Sequence, residues 1–367
     1  MGIFASKHPD ARCRSQPGGA DDLSAAAKGL CQGRARGLVA CLILLVLPGL
    51  LWAESVRIAT YAAPLSRDGP GLLLRDIAKG EDSQIAAIVA VVQGAAPDIV
   101  LLTDFDYDRD GVALAAFADL FGDHFPYRFA AQPNTGQATG LDLDRNGRLG
   151  EPRDAQGYGR FAGDGGMAIL SRYPLGELHD LSGLLWRDLP GAVLPELDGG
   201  PFFDGAVLDV QRLSTTGHWI VPVELSDGPL HLLGFSATPP IFDGPEDRNG
   251  LRNRDELRLW GQVLDGGLGA PPADFIVLGN ANLDPLAGDG HRAAMVDFLA
   301  RPDLQDPLPG QPTARWPVEE GGPGDLRVSY VLPAISWRVM GAGVVWPASD
   351  RDGAAGPHYL VWVDVAR

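Results

Sequence analysis

The residues best placed to do chemistry sit late in the chain. A compact apolar run, residues 275–278, enters Gly279 and ends in Asn280, Asn282 and Asp284 before Pro285. That layout is a buried strand delivering polar groups at its C-terminal end, and these side chains can bind a phosphate or a metal ion. Hydrolysis would want a carboxylate where the chain has Asn280, an amide that can orient a water but cannot take its proton. Asp104 is a second candidate, just past the apolar run 99–102, with Asp106, Asp108 and Asp110 following at every second position. Strand alternation would put all four on one face, whereas Asp110-Gly111 signals a turn. His358 opens the last apolar run and suits either a pocket or the edge of the core.

A separate pattern occupies residues 142–148. Asp142, Asp144 and Asn146 place oxygen ligands at positions 1, 3 and 5, with Gly147 at position 6. This is how a calcium loop begins, because a sharp turn at the glycine lets three side chains converge on one cation. The twelfth position is Arg153, with Asp154 one later and Glu151 two earlier. A Ca²⁺ loop and an ion-free Asp/Asn/Gly turn both fit. Arg248, Arg252 and Arg254 head a helical segment in which pairing with Asp247, Asp255 and Glu256 predicts a solvated charged face. An anion site at that helix start is the sharper alternative. His218 opens a strand and can face a phosphate or flank the core.

The elements that must position these residues alternate between strand and helix. Residues 55–61 and 98–103 suit strands, with helices at 71–77, 82–92 and 112–121. The polar stretch 132–164 is long for a loop inside a compact domain and reads as a functional insertion or a bound-ion loop. Strands are expected at 166–171, 206–210, 219–225, 230–235, 275–278, 326–332, 344–346 and 359–365, and helices at 252–264 and 291–299. The alternation predicts an α/β protein with two packed sheets and no solenoid repeat.

Of 367 residues, 45% are hydrophobic, enough for one large core. The formal net charge is −17, and residues 1–53 carry six Lys or Arg against three Asp or Glu, so the acidic excess lies wholly beyond them. Such a surface repels polyanions, which excludes general electrostatic attraction to nucleic acid. Arg34 and Arg36 precede the apolar run 37–52, which ends in Ala53, so residues 1–53 read as a signal leader and residues 54–367 as one domain. Cleavage there implies a periplasmic or secreted monomer without stable membrane association. A retained anchor is the alternative. Cys13, Cys31 and Cys41 all fall in the leader, leaving residues 54–367 without a disulfide or a thiol nucleophile.

Taken in order, Tyr61-Ala62, Thr103-Asp104, the segment 166–174, Ser236, Asn280-Ala281-Asn282, Ser329-Tyr330 and His358 resemble the endonuclease/exonuclease/phosphatase superfamily of metal-dependent phosphoesterases. The segment 238–253 is similar to a bacterial exported subgroup. The resemblance covers roughly residues 55–367 and implies a four-layer α/β sandwich, two packed mixed β-sheets flanked by helices, with the site where their strand ends meet. It also implies Mg²⁺ or Mn²⁺ as cofactor and a small phosphate-bearing ligand. By that resemblance Asp104 would hold the metal, Asn280 stands at the position of the water-activating Asp, Asn282 contacts the phosphate, and His358 stabilises phosphoryl charge. Several positions depart from the pattern: Ala62 replaces an Asn, Ser236 a His, and Ser329 the Asp that would orient His358. Weak or lost hydrolysis is therefore expected. The alternatives are an active enzyme with a recruited base, Asp284, Asp106 or Asp350, and a calcium-stabilised binding module without chemistry.

Overall fold

The computed structural model describes residues 55–346 and 352–367. The leader with its three cysteines, and Asp350, lie outside the described residues. In chain order, strands β1 (Val56–Leu65), β2 (Ile99–Phe105), β3 (Tyr127–Phe129) and β4 (Gly166–Ser171) frame helices α1 (Leu72–Lys79), α2 (Ser83–Ala95) and α3 (Val112–Asp119). Next come β5 (His179–Asp180), the ribbon of β6 (Glu196–Leu197) and β7 (Gly200–Pro201), the one-turn helix α4 (Gly205–Leu208), and the hairpin of β8 (Gly217–Leu225) and β9 (Gly228–Ser236). The chain continues through α5 (Arg248–Leu264), β10 (Phe275–Asn280), α6 (Arg292–Leu299) and the ribbon of β11 (Ala314–Trp316) and β12 (Gly324–Leu326). It closes with β13 (Ser329–Pro333), β14 (Arg338–Val345) and β15 (Leu360–Ala366).

The strands form two large mixed sheets, one ordered β14-β15-β1-β2-β4-β3 and the other β13-β10-β9-β8-β5. Each contains one parallel pair, β1 with β2 and β10 with β9. These four strands are largely buried on both faces, which is why β2 and β10 read as continuous apolar runs, whereas the start of β1 reads as alternating. Between the sheets, Ile58, Leu101 and Ile169 pack with Leu232, Phe235, Ile276 and Leu278. Helices α1, α2 and α3 cover the outer face of the first sheet through Leu73, Ile88 and Phe117, while α5 and α6 cover the second through Trp260 and Phe298. The result is the four-layer α/β sandwich, with the C-terminal ends of both parallel pairs available for a site.

Three local expectations are corrected. Residues 205–208 are helical rather than strand, because the Asp204 carboxylate caps the turn by accepting the Val207 N–H at 2.9 Å. The expected strand 326–332 is two strands, interrupted where Arg327 turns its guanidinium onto Asp306. The face of α5 expected to be solvated is buried: Arg252, Asn253, Asp255 and Glu256 are all enclosed. The polar stretch 132–164 supplies the cover, since Leu143 joins Trp186, Phe202, Phe203 and Leu259 in a small apolar cluster against α5.

Candidate active site

A cleft of about 570 Å³ opens where the two sheets meet, within the roughly 300–1,000 Å³ of small-molecule sites. Its strand-end wall comprises Ala62 after the start of β1, Thr103 and Asp104 on β2, Ser236 closing β9, Asn280 and Asn282 at the end of β10, and His358 before β15. The opposite wall comprises Thr135, Arg153 and Tyr158 from the long polar stretch, Thr215 before β8, Phe242, and Arg248 and Arg252 on α5. The site residues expected on five separate strands are thus brought together, while Asp142, Asp144 and Asn146 are not among them.

Asp104 reaches the cleft through a defect in its strand. Thr103 pairs with Met167 and Phe105 with Gly166, so Asp104 is an extra residue without a partner in β4. Its φ is 67°, and the bulge turns out the side chain that alternation would have left in the sheet. Gly165 makes room for it, since a Cβ there would lie 2.8 Å from the Asp104 carboxylate. The bulge also separates Asp104 from the acids that follow. Asp106 is buried and accepts the N–H groups of Arg67 and Gly165, and Asp108 accepts those of Val112 and Ala113 at the start of α3. The four aspartates therefore do not share a face. Burial within the cleft, then the charges of Asp106 and Asp164, raise the Asp104 carboxyl to about 7. The side chain does present surface to the cleft's water, and the shift arises because protein crowds it on its other sides.

On β10, Gly279 has a φ of 144°, and a Cβ there would lie 1.9 Å from the Phe235 carbonyl, so the β9–β10 pairing requires glycine. The two asparagines beyond it bond to each other. Asn280 Nδ2 donates to Asn282 Oδ1 at 3.2 Å, and the Asn282 N–H to Asn280 Oδ1 at 3.3 Å. Asn282 Nδ2 donates to the Ala237 carbonyl, which helps hold its φ of 51°. Both amides are fixed, and neither can accept a proton from water.

His358 lies edge-on to Trp316, ring centroids 5.1 Å apart. Its Nδ1 is enclosed without a hydrogen-bond partner, and so is the Oγ of Ser329. The two residues are neighbours through Thr313, whose hydroxyl accepts the Ser329 N–H and whose carbonyl accepts the N–H of Tyr359. Burial pushes the imidazole down to about 4, so it is neutral at pH 7. A buried polar atom with nothing to bond calls for an explanation. Here two occur where the resemblance would put a His and its orienting Asp.

Neither recruited-base candidate within the described residues reaches the cleft. Asp284 is buried in a turn, accepting from Leu286, Ala287 and Arg327 backbone N–H groups. Asp106 is committed as described. Among the described residues, Asp104 is the acidic side chain lining the cleft, against Arg153, Arg248 and Arg252. His218 is a core residue: fully buried, it donates from Nε2 to the Glu256 carbonyl at 2.9 Å and accepts at Nδ1 from Ser214, 2.6 Å away.

A Mg²⁺ ion is commonly held by one or two carboxylates plus substrate phosphate oxygens, and it keeps several waters. The strand-end wall fits that sparse kind of binding through Asp104. It is no dedicated cage, because Ala62 offers no ligand atom and the oxygens of Asn280 and Asn282 already accept hydrogen bonds. When bound, such an ion would neutralise charge on a phosphoryl oxygen.

Elsewhere, Asp142, Asp144 and Asp154 bring one carboxylate oxygen each to within 4.8 Å of one another. Asn146 bonds to Asp144 and Glu151 instead of joining that triad. Asp154, one residue beyond the expected closing position, supplies the third carboxylate. Sequence spacing could suggest it. Nothing local signalled the roles of Thr135, Thr215, Tyr158 or Glu256, which depend on how the long polar stretch folds back.

No curated protein sequence matches the chain. Among solved structures, an endonuclease/exonuclease/phosphatase from Beutenbergia cavernae DSM 12333 is 19% identical with a TM-score of 0.52, covering 85% of this chain and 72% of that one. A humanized D. rerio TDP2 with 14 mutations is 11% identical with a TM-score of 0.49, covering 85% of this chain and 99% of that chain. Sphingomyelinase C from Streptomyces griseocarneus is 15% identical with a TM-score of 0.47, covering 86% of this chain and all of that one (100%). The profile of the endonuclease/exonuclease/phosphatase family matches residues 74–356, and the chain belongs to that family.

Proposed function

We propose that this is an exported phosphoesterase-family protein that binds a small phosphate-bearing ligand in its cleft and hydrolyses it weakly or not at all. It acts as a monomer, periplasmic or secreted after removal of residues 1–53. The observation that carries the reading is the pair of amides Asn280 and Asn282, bonded to each other where a base would have to sit. Loss of a general base typically costs on the order of 10² to 10⁴ in rate. The neutral, unoriented His358 supports the same reading. Surviving chemistry would use Asp104 for one Mg²⁺ or Mn²⁺, Asn282 for the phosphate and His358 Nε2 for developing charge.

The test is hydrolysis of a panel of phosphomonoesters and phosphodiesters by the full chain with Mg²⁺, Mn²⁺ or Ca²⁺, beside His358→Ala. Turnover close to that of the variant is expected. Robust metal-dependent turnover abolished by the substitution would establish a working hydrolase and overturn the reading.

The carboxylate triad favours one addition, a structural Ca²⁺ held by Asp142, Asp144 and Asp154. Calorimetric titration should show heat and a higher melting temperature with Ca²⁺, both lost in Asp144→Asn; no response in the native chain removes the ion.

A further inference from the structure

His358 has no polar partner to choose its tautomer, since Nδ1 is enclosed with nothing to bond. Where its ring sits is a separate matter, and a feature outside the two large sheets governs it. The ribbon of β11 and β12 lies against the three residues that lead into β15. The Arg315 N–H donates to the Pro357 carbonyl and the Tyr359 N–H to the Thr313 carbonyl, both at 2.9 Å. Between them Ala314 bridges His358 in antiparallel register. Residues 357–359 thereby act as a third strand of the ribbon. Ahead of them, Gly356 lies so close to Pro64 of β1 that a Cβ there would come within 2.8 Å of the proline ring. The backbone of His358 is pinned on both sides.

Register then decides what the side chain meets. In an antiparallel pair, residues two apart share a face, and diagonal neighbours are within reach of large rings. Ala314 stands opposite His358, and Trp316 is the next residue of β11 on that face. Ala314 is small and fully buried, which leaves room for the Trp316 indole to close on the imidazole. The rings meet edge-on, with centroids 5.1 Å apart and planes at 88°, a favoured arrangement for two aromatic rings. The other face of the ribbon is clasped separately. Arg315 forms a bidentate pair with Asp325 at 2.6 and 2.9 Å and lies over Trp346, which packs on Tyr359 with centroids 4.4 Å apart. Trp316 is thus presented from a braced strand.

We infer that the β11–β12 ribbon is the positioning element of the cleft histidine, with Trp316 as its positioning residue: the indole fixes the plane of His358 where the resemblance would have a carboxylate do so. Packing sets where the ring sits, whereas a hydrogen bond would also have set its proton. The inference stands apart from the phosphate-binding reading, and its test uses no phosphate, so the two can fail separately. Burial lowers the imidazole, and Trp316 supplies part of that burial. Of the charged groups around it, Arg315 and Asp325 point to the ribbon's other face and neutralise each other, while Asp104, Arg153, Arg248 and Arg252 line the same cleft.

NMR of the full chain with labelled histidines tests it. The chain has seven histidines, and His358→Ala assigns the resonance. In the native chain the imidazole should titrate at about 4. Trp316→Ala should raise that midpoint by about one pH unit or more, toward the ordinary value near 6.5. Trp316→Phe keeps a ring and should restore most of the lowering. Trp316→Leu keeps apolar bulk without a ring; it should shift the midpoint in the same sense as alanine and decides the matter if the alanine variant does not fold. Leu332→Ala, a core deletion in β13, should lower the melting temperature and leave the midpoint where it is. Circular dichroism confirms that the variants fold. A midpoint unmoved in the alanine or leucine variant, or a phenylalanine variant no better than alanine, would overturn the assignment. So would an equal rise in Leu332→Ala, because general loosening would then explain the shift.

Discussion

The two walls of the cleft differ in how they hold their charged groups. On the α5 side the buried charged groups are each held by several hydrogen bonds, while Thr135 Oγ1, Asn253 Oδ1 and Trp260 Nε1 have no partner. Arg252 donates to the carbonyls of Leu213, Gln156, Arg212 and Ser214. Glu256 accepts the N–H groups of Thr215 and Thr238, which tie the segments before β8 and after β9 to the helix. His218 and Asn253 complete the set, the latter donating to the Thr238 and Ala281 carbonyls. The strand-end side also holds unpartnered polar atoms, on Thr103, Ser329 and His358, and there they include the cleft histidine. Multiply bonded charged groups fix a wall's shape, whereas isolated polar atoms add desolvation without rigidity. The proposed loss of acid–base groups falls on the strand-end wall, while the Arg252 and Glu256 bonding that ties α5 to its neighbours is intact.

The largest effects should come from restoring chemistry on the thin wall or cutting the network on the dense one. Asn280→Asp should raise metal-dependent phosphodiester turnover by roughly 10² to 10⁴ if the missing base is what limits the rate; unchanged turnover would place the deficit elsewhere. Arg252→Ala should destabilise the protein by about 3–5 kcal/mol in urea, because four carbonyls lose a charged donor, three of them keeping a neutral one from Gln211 or Asn134, and the Glu256 carboxylate loses its compensating charge. A loss below about 1 kcal/mol would show that the dense wall is not a cooperative network.

A smaller, pH-dependent effect sharpens the same contrast. Burial raises the Glu256 carboxyl to about 7, against the lowering influence of Arg252 and the two N–H donors. Its folded value lies above its unfolded one, so the protonated group contributes stability that is complete below about pH 4.5 and fades as pH rises to 7. Glu256→Gln keeps one acceptor oxygen and turns an amide toward the other N–H, which should cost about 1–3 kcal/mol. Gln does not titrate, so the deficit relative to the native chain should be larger at pH 5 than at pH 8. Urea melts at the two pH values measure it, and a deficit that grows with pH would reverse the assignment.

What could be read from residues alone follows the same division. The buried strands were legible because both faces are apolar, and the strand-end residues were legible because they come at the ends of such runs. The bulge that frees Asp104 was not, since alternation carries no mark of one extra residue. The dense wall was misread altogether: Arg252, Asp255 and Glu256 at helical spacing look like a solvated face, and only the folded-back stretch carrying Leu143 and Gln156 encloses them. Burial of that kind is a property of long-range packing, which local periodicity does not record.

The smallest effect discriminates most finely between the walls. Ser329 is 1% exposed, its hydroxyl has no partner, and by the family resemblance it stands where an Asp would orient His358. Removing an unsatisfied buried hydroxyl relieves a desolvation penalty instead of breaking a bond, so Ser329→Ala should leave stability unchanged or raise it by up to about 1 kcal/mol. A comparable deletion on the dense wall, Ser214→Ala, takes away the donor to His218 Nδ1 and should cost about 1–3 kcal/mol. Thermal melts of the two variants side by side make the measurement. If Ser329→Ala is the more damaging, Ser329 is holding His358 in place, and the thin wall retains an oriented histidine after all.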